Sequence, residues 1–293
     1  MDSPPNLERP DWLNRREYPF APHYYSTRAG RMHFVDEGSG RPVVFVHGNP
    51  AWSFMFRNQI KTLSRSHRCI APDHIGFGLS EKPSDWDYLP AGHASNLEAL
   101  LESLDLKEIT LVIGDWGGPI GISYAVRHPQ RIRDVMVSNS WMWSVRSQLK
   151  FRLFSGYMGG PIGRYLIRSR NSFAKSGFRG AFGDPRRLAP EIHAQYIHPF
   201  DEPRSRKGSW VFPKQIIVSS DWLNDLWRRR DTLRSKRFLF FWGMKDVGFG
   251  EKELQRWSRQ YPEGRVVRSP DGGHFLAEEL PAQFTSELAA LVA

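Results

Sequence analysis

Along the first half of the chain, apolar runs of strand length alternate with segments of helical spacing. Pro42 to His47 is continuously apolar and predicts a strand buried on both faces. Arg68 to Pro72, Ile109 to Ile113, Arg133 to Ser138, Arg237 to Gly243 and Arg265 to Ser269 predict further strands. His23 to Ser26 and Met32 to Asp36 turn on Gly30, which predicts an antiparallel hairpin at a sheet edge. In Ala91 to Leu104, apolar residues at Ala94, Leu97, Leu100, Leu101 and Leu104 keep a helical spacing. Pro119 to His128 and the amphipathic Pro281 to Val292 predict two more helices. Strands separated by helices argue for an α/β fold with a mostly parallel central sheet flanked by helices.

The rhythm breaks between Asn139 and about Leu233, where no buried strand is legible and Leu153 to Ile167 reads as one helix. This predicts a helical cap inserted over the carboxyl edge of the sheet, where open α/β sheets bind ligands. The expected division is a core of residues 1–140 and 230–293, with a cap of residues 141–229.

Composition narrows the picture. The 293 residues are 40% hydrophobic and 13% aromatic, ample for one large core, and eleven tryptophans leave some to line a pocket. The one cysteine, Cys69, excludes an intramolecular disulfide and reads as the buried start of a strand. A reducing cytoplasm suits it. Met1 to Arg16 lacks the apolar stretch of a signal peptide, and no run reaches membrane-spanning length. The formal charge is +10, and ten basic residues stand between Val145 and Arg187 with Asp184 as the sole acid. A solvated helical face accounts for them, and so would contact with another subunit or an anionic polymer. No nucleic-acid motif accompanies them. Neither nucleic acid nor membrane is expected as a partner, while a homo-oligomer stays open.

Candidate chemistry sits at the strand ends. The run Ile109 to Ile113 meets Gly114-Asp115-Trp116-Gly117-Gly118 and then a helix, the layout of a nucleophile elbow. Asp115 stands where most elbows carry serine. A carboxylate is ionised near neutral pH and can attack carbon without a base. That suits displacement at a saturated carbon or opening of a strained ring, not amide cleavage. As a lone motif, Asp115 is more readily a cap of that helix.

Three further pieces change that reading. In His47-Gly48-Asn49-Pro50 the peptide N–H of Asn49, with that of Trp116, would form an oxyanion hole. The Asn49 amide and the Trp116 indole add donors for a leaving anion, unless they serve as a turn residue and as core packing. Gly272-Gly273-His274-Phe275 offers an imidazole to activate water against an ester on Asp115. Asp246, after the penultimate strand, would orient that imidazole, unless it caps the helix near Glu251. The competing acid position holds the neutral Asn139. His47 packs in the oxyanion turn, and His67, His74, His93, His128, His193 and His198 read as surface or loop residues.

The stretches from His47 to Ser53, from Ala71 to Pro83 and from Asp115 to Pro119 resemble the haloalkane dehalogenases of the α/β-hydrolase superfamily. The similarity runs from about Tyr25 to Leu288 and is weakest in the insertion. It implies the α/β-hydrolase fold, Asp115 as nucleophile, His274 as base and Asp246 as acid. It also implies Asn49 and Trp116 as halide ligands, the pattern of the third subfamily. No metal and no organic cofactor is implied: the partners are a small haloalkane, water and the halide. One departure is the bulky Ile113, two residues before Asp115, where the general elbow has a small one. An epoxide hydrolase is the alternative. It would need two cap tyrosines, for which Tyr157, Tyr165 and Tyr196 are available.

Overall fold

Eight strands form a single sheet in the order β1-β2-β4-β3-β5-β6-β7-β8 in the computed structural model, which describes residues 10–293. They are β1 (His23–Thr27), β2 (Gly30–Glu37), β3 (Pro42–Val46), β4 (Arg68–Pro72), β5 (Ile109–Asp115), β6 (Ile132–Ser140), β7 (Arg237–Gly243) and β8 (Arg265–Ser269). β1 and β2 form the expected antiparallel edge hairpin, and β2 runs antiparallel to β4. Every other pairing is parallel. Residues 1–9, and with them most of the stretch read as lacking a signal peptide, lie outside the described residues.

The period of two along each strand decides what packs where. Val44, Val46, Leu111, Ile113, Val135 and Val137 face one side. There they meet α2 (Pro90–Ser103) and α3 (Gly117–Arg127). Val43, Phe45, Val112, Met136, Leu239 and Phe241 face the other side and meet α1 (Arg57–Leu63). Because both faces are covered, the middle stretches of the central strands are nearly continuous apolar runs. Cys69 is buried at the start of β4, as expected.

The segment between β6 and β7 is helical: α4 (Leu149–Met158), α5 (Pro161–Arg170), the single turn α6 (Phe178–Gly180), α7 (Pro190–Ile197), α8 (Lys207–Val218) and α9 (Ser220–Arg229). The single helix expected over Leu153 to Ile167 is two. Gly160 is extended, at φ −85° and ψ −176°, and Pro161 opens α5 at its first position. After β7 come α10 (Glu251–Gln260), the short α11 (Leu276–Glu279) and α12 (Pro281–Val292). α10 joins the α2 and α3 side, and α12 the α1 side.

Of the histidines read as surface or loop residues, His74 lies in the loop after β4, His93 and His193 lie on helices, and all three are buried. The reason is tertiary. The His74 peptide N–H donates to His47 Nε2 at 2.9 Å, and the His74 ring lies 4.3 Å from that of His47, tilted by 46°. His193 Nε2 reaches the Ala174 carbonyl at 2.8 Å. His93 lies between Trp86 and Phe212, and neither ring nitrogen has a hydrogen-bond partner. Burial, reinforced by the nearby His47, pushes its pKa down to about 3. His93 is therefore neutral in the fold and protonates in the unfolded chain below about pH 6.5. The unfolded state then binds the extra proton, so stability falls as pH drops from about 6.5 toward 3. His93→Phe should flatten the acid-side fall in Tm, by on the order of 1 kcal/mol per pH unit in that window, measured by thermal unfolding from pH 8 to 4.

Candidate active site

The expected site residues come from the carboxyl ends of β3, β5 and β7 and from the loop after β8. Asp115 ends β5 at φ +46°, a left-handed conformation that costs a residue with a Cβ on the order of 1–3 kcal/mol. Its carbonyl accepts the Ser140 hydroxyl at 2.6 Å, and α3 starts immediately after it. The Asn49 peptide N–H donates to Asp115 Oδ2 at 2.7 Å. Gly48 is required there, because a Cβ would fall onto the Asp115 carboxylate. The bulky Ile113 fits because α3 presents Gly121 to it, where a Cβ would stand 2.7 Å from Ile113 Cγ2.

His274 Nδ1 donates to Asp246 Oδ2 at 2.7 Å, while Nε2 lies 3.7 Å from Asp115 Oδ1. Asp246 Oδ1 accepts the Gly248 N–H at 2.7 Å. Asp246 does not cap α10. That helix is capped at Gly250, whose N–H is taken by Glu253 Oε2 at 2.9 Å. Asn139, at φ +39°, donates to Asp246 Oδ2 at 2.9 Å and exchanges hydrogen bonds with the Gly243 backbone at 2.8 and 3.0 Å. The neutral residue at the competing acid position thus supports Asp246 instead of replacing it.

Electrostatics follow from this geometry. Burial alone would lower the His274 pKa, but the Asp246 and Asp115 carboxylates on either side outweigh it and raise it to about 10. Burial likewise opposes ionisation of Asp246, and the His274 partner overcomes it and holds that carboxyl below its ordinary value.

Above these residues is a cavity of about 600 Å³. Asp115, Trp116, His274 and Asn49 share it with apolar side chains such as Phe151, Phe154, Met158, Phe173 and Ile216. Trp116 packs 4.8 Å from Trp141 and 5.0 Å from Phe212, so it is both core and lining. Its indole N–H makes no hydrogen bond among the described residues and remains available to a ligand. The Asn49 amide gives one hydrogen to the Ser209 carbonyl at 3.1 Å, which leaves its second. Trp116 is the one tryptophan of the eleven that lines this cavity among the described residues.

Sequence reading missed the supports of His274. Its N–H donates to the Ala181 carbonyl at 2.8 Å. The buried Glu279 accepts the N–H groups of Gly273 at 2.7 Å, Gly183 at 3.1 Å and Asp184 at 2.9 Å. Glu278 is paired with Arg57 and with the Tyr196 hydroxyl. Two adjacent acids in the otherwise apolar run Phe275 to Leu280 were the available signal, since buried carboxylates need donors. The tyrosines that an epoxide hydrolase would need are elsewhere. Tyr157 and Tyr165 are each 56% exposed, Tyr196 is bound to Glu278, and no tyrosine among the described residues lines the cavity.

The chain belongs to the α/β-hydrolase fold family, whose model matches residues 41–281. Haloalkane dehalogenase 2 of Mycobacterium tuberculosis is 36% identical to it over 92% of this chain and 94% of that protein. A cis-3-alkyl-4-alkyloxetan-2-one decarboxylase of Shewanella oneidensis is 34% identical over 89% of this chain and 85% of its own length. The crystal structure of the haloalkane dehalogenase DatA from Agrobacterium tumefaciens superposes with a TM-score of 0.82 at 28% identity, covering 92% of this chain and 95% of that one. These likenesses put the chain in the branch of the family that holds the haloalkane dehalogenases.

The fit of Ile113 against Gly121 is testable. Gly121→Ala should cost about 1–3 kcal/mol by overpacking, and Ile113→Ala in the same chain should recover much of that. A double-mutant cycle on Tm measures the coupling.

Proposed function

We propose that this protein hydrolyses carbon–halogen bonds of haloalkanes through an alkyl ester on Asp115. One observation carries the reading. An elbow carboxylate has one oxygen held by a peptide N–H and the other 3.7 Å from an imidazole oriented by a second carboxylate, beneath an apolar cavity.

Asp115 Oδ1 attacks the sp³ carbon opposite the halogen. A C–O bond forms, the C–X bond breaks, and the halide leaves toward the Asn49 amide and the Trp116 indole. Neutral donors hold a diffuse anion yet let it depart. Esterification removes the charge on Asp115, one of the two carboxylates that keep the His274 pKa near 10. The imidazolium then gives its proton to solvent, the one proton the overall reaction releases, and becomes a base only once an ester is present. His274 takes a proton from water, hydroxide adds to Cγ of Asp115, and the peptide N–H groups of Asn49 and Trp116 hold the oxyanion. Collapse releases the alcohol and restores Asp115 with one oxygen from water. The residues need no metal and no cofactor for this sequence.

We assign residues 1–140 and 230–293 to the core and 141–229 to the cap. α9 packs on α3 and roots the cap. A reducing cytoplasm suits the buried Cys69.

Asp115→Asn should abolish halide release from a terminal bromoalkane. His274→Phe should release one equivalent of halide per protein and then stall, about 10²–10⁴-fold slower in turnover. Its Asp115 peptide should carry the alkyl mass, and absence of both burst and adduct would refute the roles. Styrene oxide should yield little diol. A dialkyl oxetan-2-one, the compound class in the name of the Shewanella relative, should yield no alkene. The proton must leave His274 after the ester forms, so lowering pH from 8 to 6 should slow ester hydrolysis and spare the burst. Stopped-flow halide detection separates the two phases.

A further inference from the structure

The outer face of the cap differs from the rest of the surface. Among the described residues, seven of the nine exposed large apolar side chains stand on α4, α5 and α8. Leu149, Leu153 and Tyr157 recur every four residues along α4, 64%, 64% and 56% exposed. Ile162 and Tyr165 on α5 and Val218 on α8 continue the patch, and the three helices pack on one another. Phe154, 43% exposed on α4, and Val247, 92% exposed after β7, also line the Asp115 cavity and so mark its rim.

The patch is also cationic. A groove of about 820 Å³ between these helices is lined by Arg152, Arg164, Arg168 and Lys214. None of the four has an ion-pair partner among the described residues, and Arg164 lies 4.2 Å over the Trp210 ring. α4, α5 and α8 carry no Asp or Glu at all.

We propose that this face docks the protein on an anionic lipid bilayer. Protruding aliphatic and aromatic side chains beside unpaired cations fit an interface whose headgroups are negative and whose interior is apolar. A second copy fits poorly, because a two-fold contact would set these cations against their own kind. A nucleic acid offers phosphates but nothing for Leu153 and Ile162 to bury against. The expectation of no membrane partner rested on spanning length, and no described helix is long and apolar enough to cross a bilayer. A peripheral face needs no such helix. Docking also turns the Phe154 and Val247 rim toward lipid, from which an apolar substrate could enter. That consequence rests on the proposed function, whereas docking itself does not.

The test is co-sedimentation of the full chain with vesicles of phosphatidylcholine, alone or with about one-third phosphatidylglycerol. Partitioning should be about tenfold stronger on the anionic vesicles and should weaken with salt. Leu153→Ser with Ile162→Ser, and separately Arg164→Glu with Arg168→Glu, should each reduce it about tenfold. Neither pair lines the Asp115 cavity, so halide release from a short bromoalkane should persist in both and report an intact fold. If the protein proves inactive, far-UV circular dichroism and Tm take over that control. Equal binding to both vesicles, no binding, or unaffected binding by either double variant would overturn the proposal. So would variants that convert an oligomer to monomers, or duplex DNA displacing the vesicles.

Discussion

Asp115 is held where its backbone would not choose to be, and much of the site is arranged around that constraint. At φ +46° its side chain is lifted off the end of β5 instead of following the strand's alternation. The conformation is locked from several sides: parallel partners on both flanks of β5, the Ser140 hydroxyl on its carbonyl and the start of α3. Gly48 clears the space the carboxylate occupies, and Gly121 clears the space for Ile113 below it. A relaxed Asp115 would lose the Asn49 N–H and swing away from His274.

Charge is the second constraint on the site. An imidazole between two carboxylates in a buried site is stabilised as its cation, and the His274 pKa is raised to about 10. In the proposed reaction the substrate itself switches that state by neutralising Asp115. The base is produced by the step that precedes its use, and Asp246, held by Asn139 and the Gly248 N–H, keeps its orientation throughout.

The inserted helices do more than roof the cavity. Ala181 takes the His274 N–H, Glu279 joins Gly273 to Gly183 and Asp184, and Ser209 takes the Asn49 amide. Two strand-end loops of the core are therefore tied to the insertion by hydrogen bonds. Cap and core form one site, although the chain enters the cap after β6 and returns to the sheet at β7.

What the chain's own order determined was whatever depends on short-range pattern. Apolar runs marked the strands of the sheet, glycines and their neighbours marked the turns at its carboxyl edge, and there stand Asp115 at the end of β5 and Asn49, Asp246 and His274 in the loops. Motif chemistry is local, because an elbow or an oxyanion turn is built from consecutive residues. Tertiary structure decided the rest. It ruled that Asn139 supports Asp246, that His74 and His93 are interior, and that Glu279 anchors the loop of His274. It also removed the tyrosines from the cavity and left Leu153 and Ile162 facing outward. Each of these outcomes depends on partners tens to hundreds of residues away, or on which face of a helix meets the core, and neither is encoded in a local period.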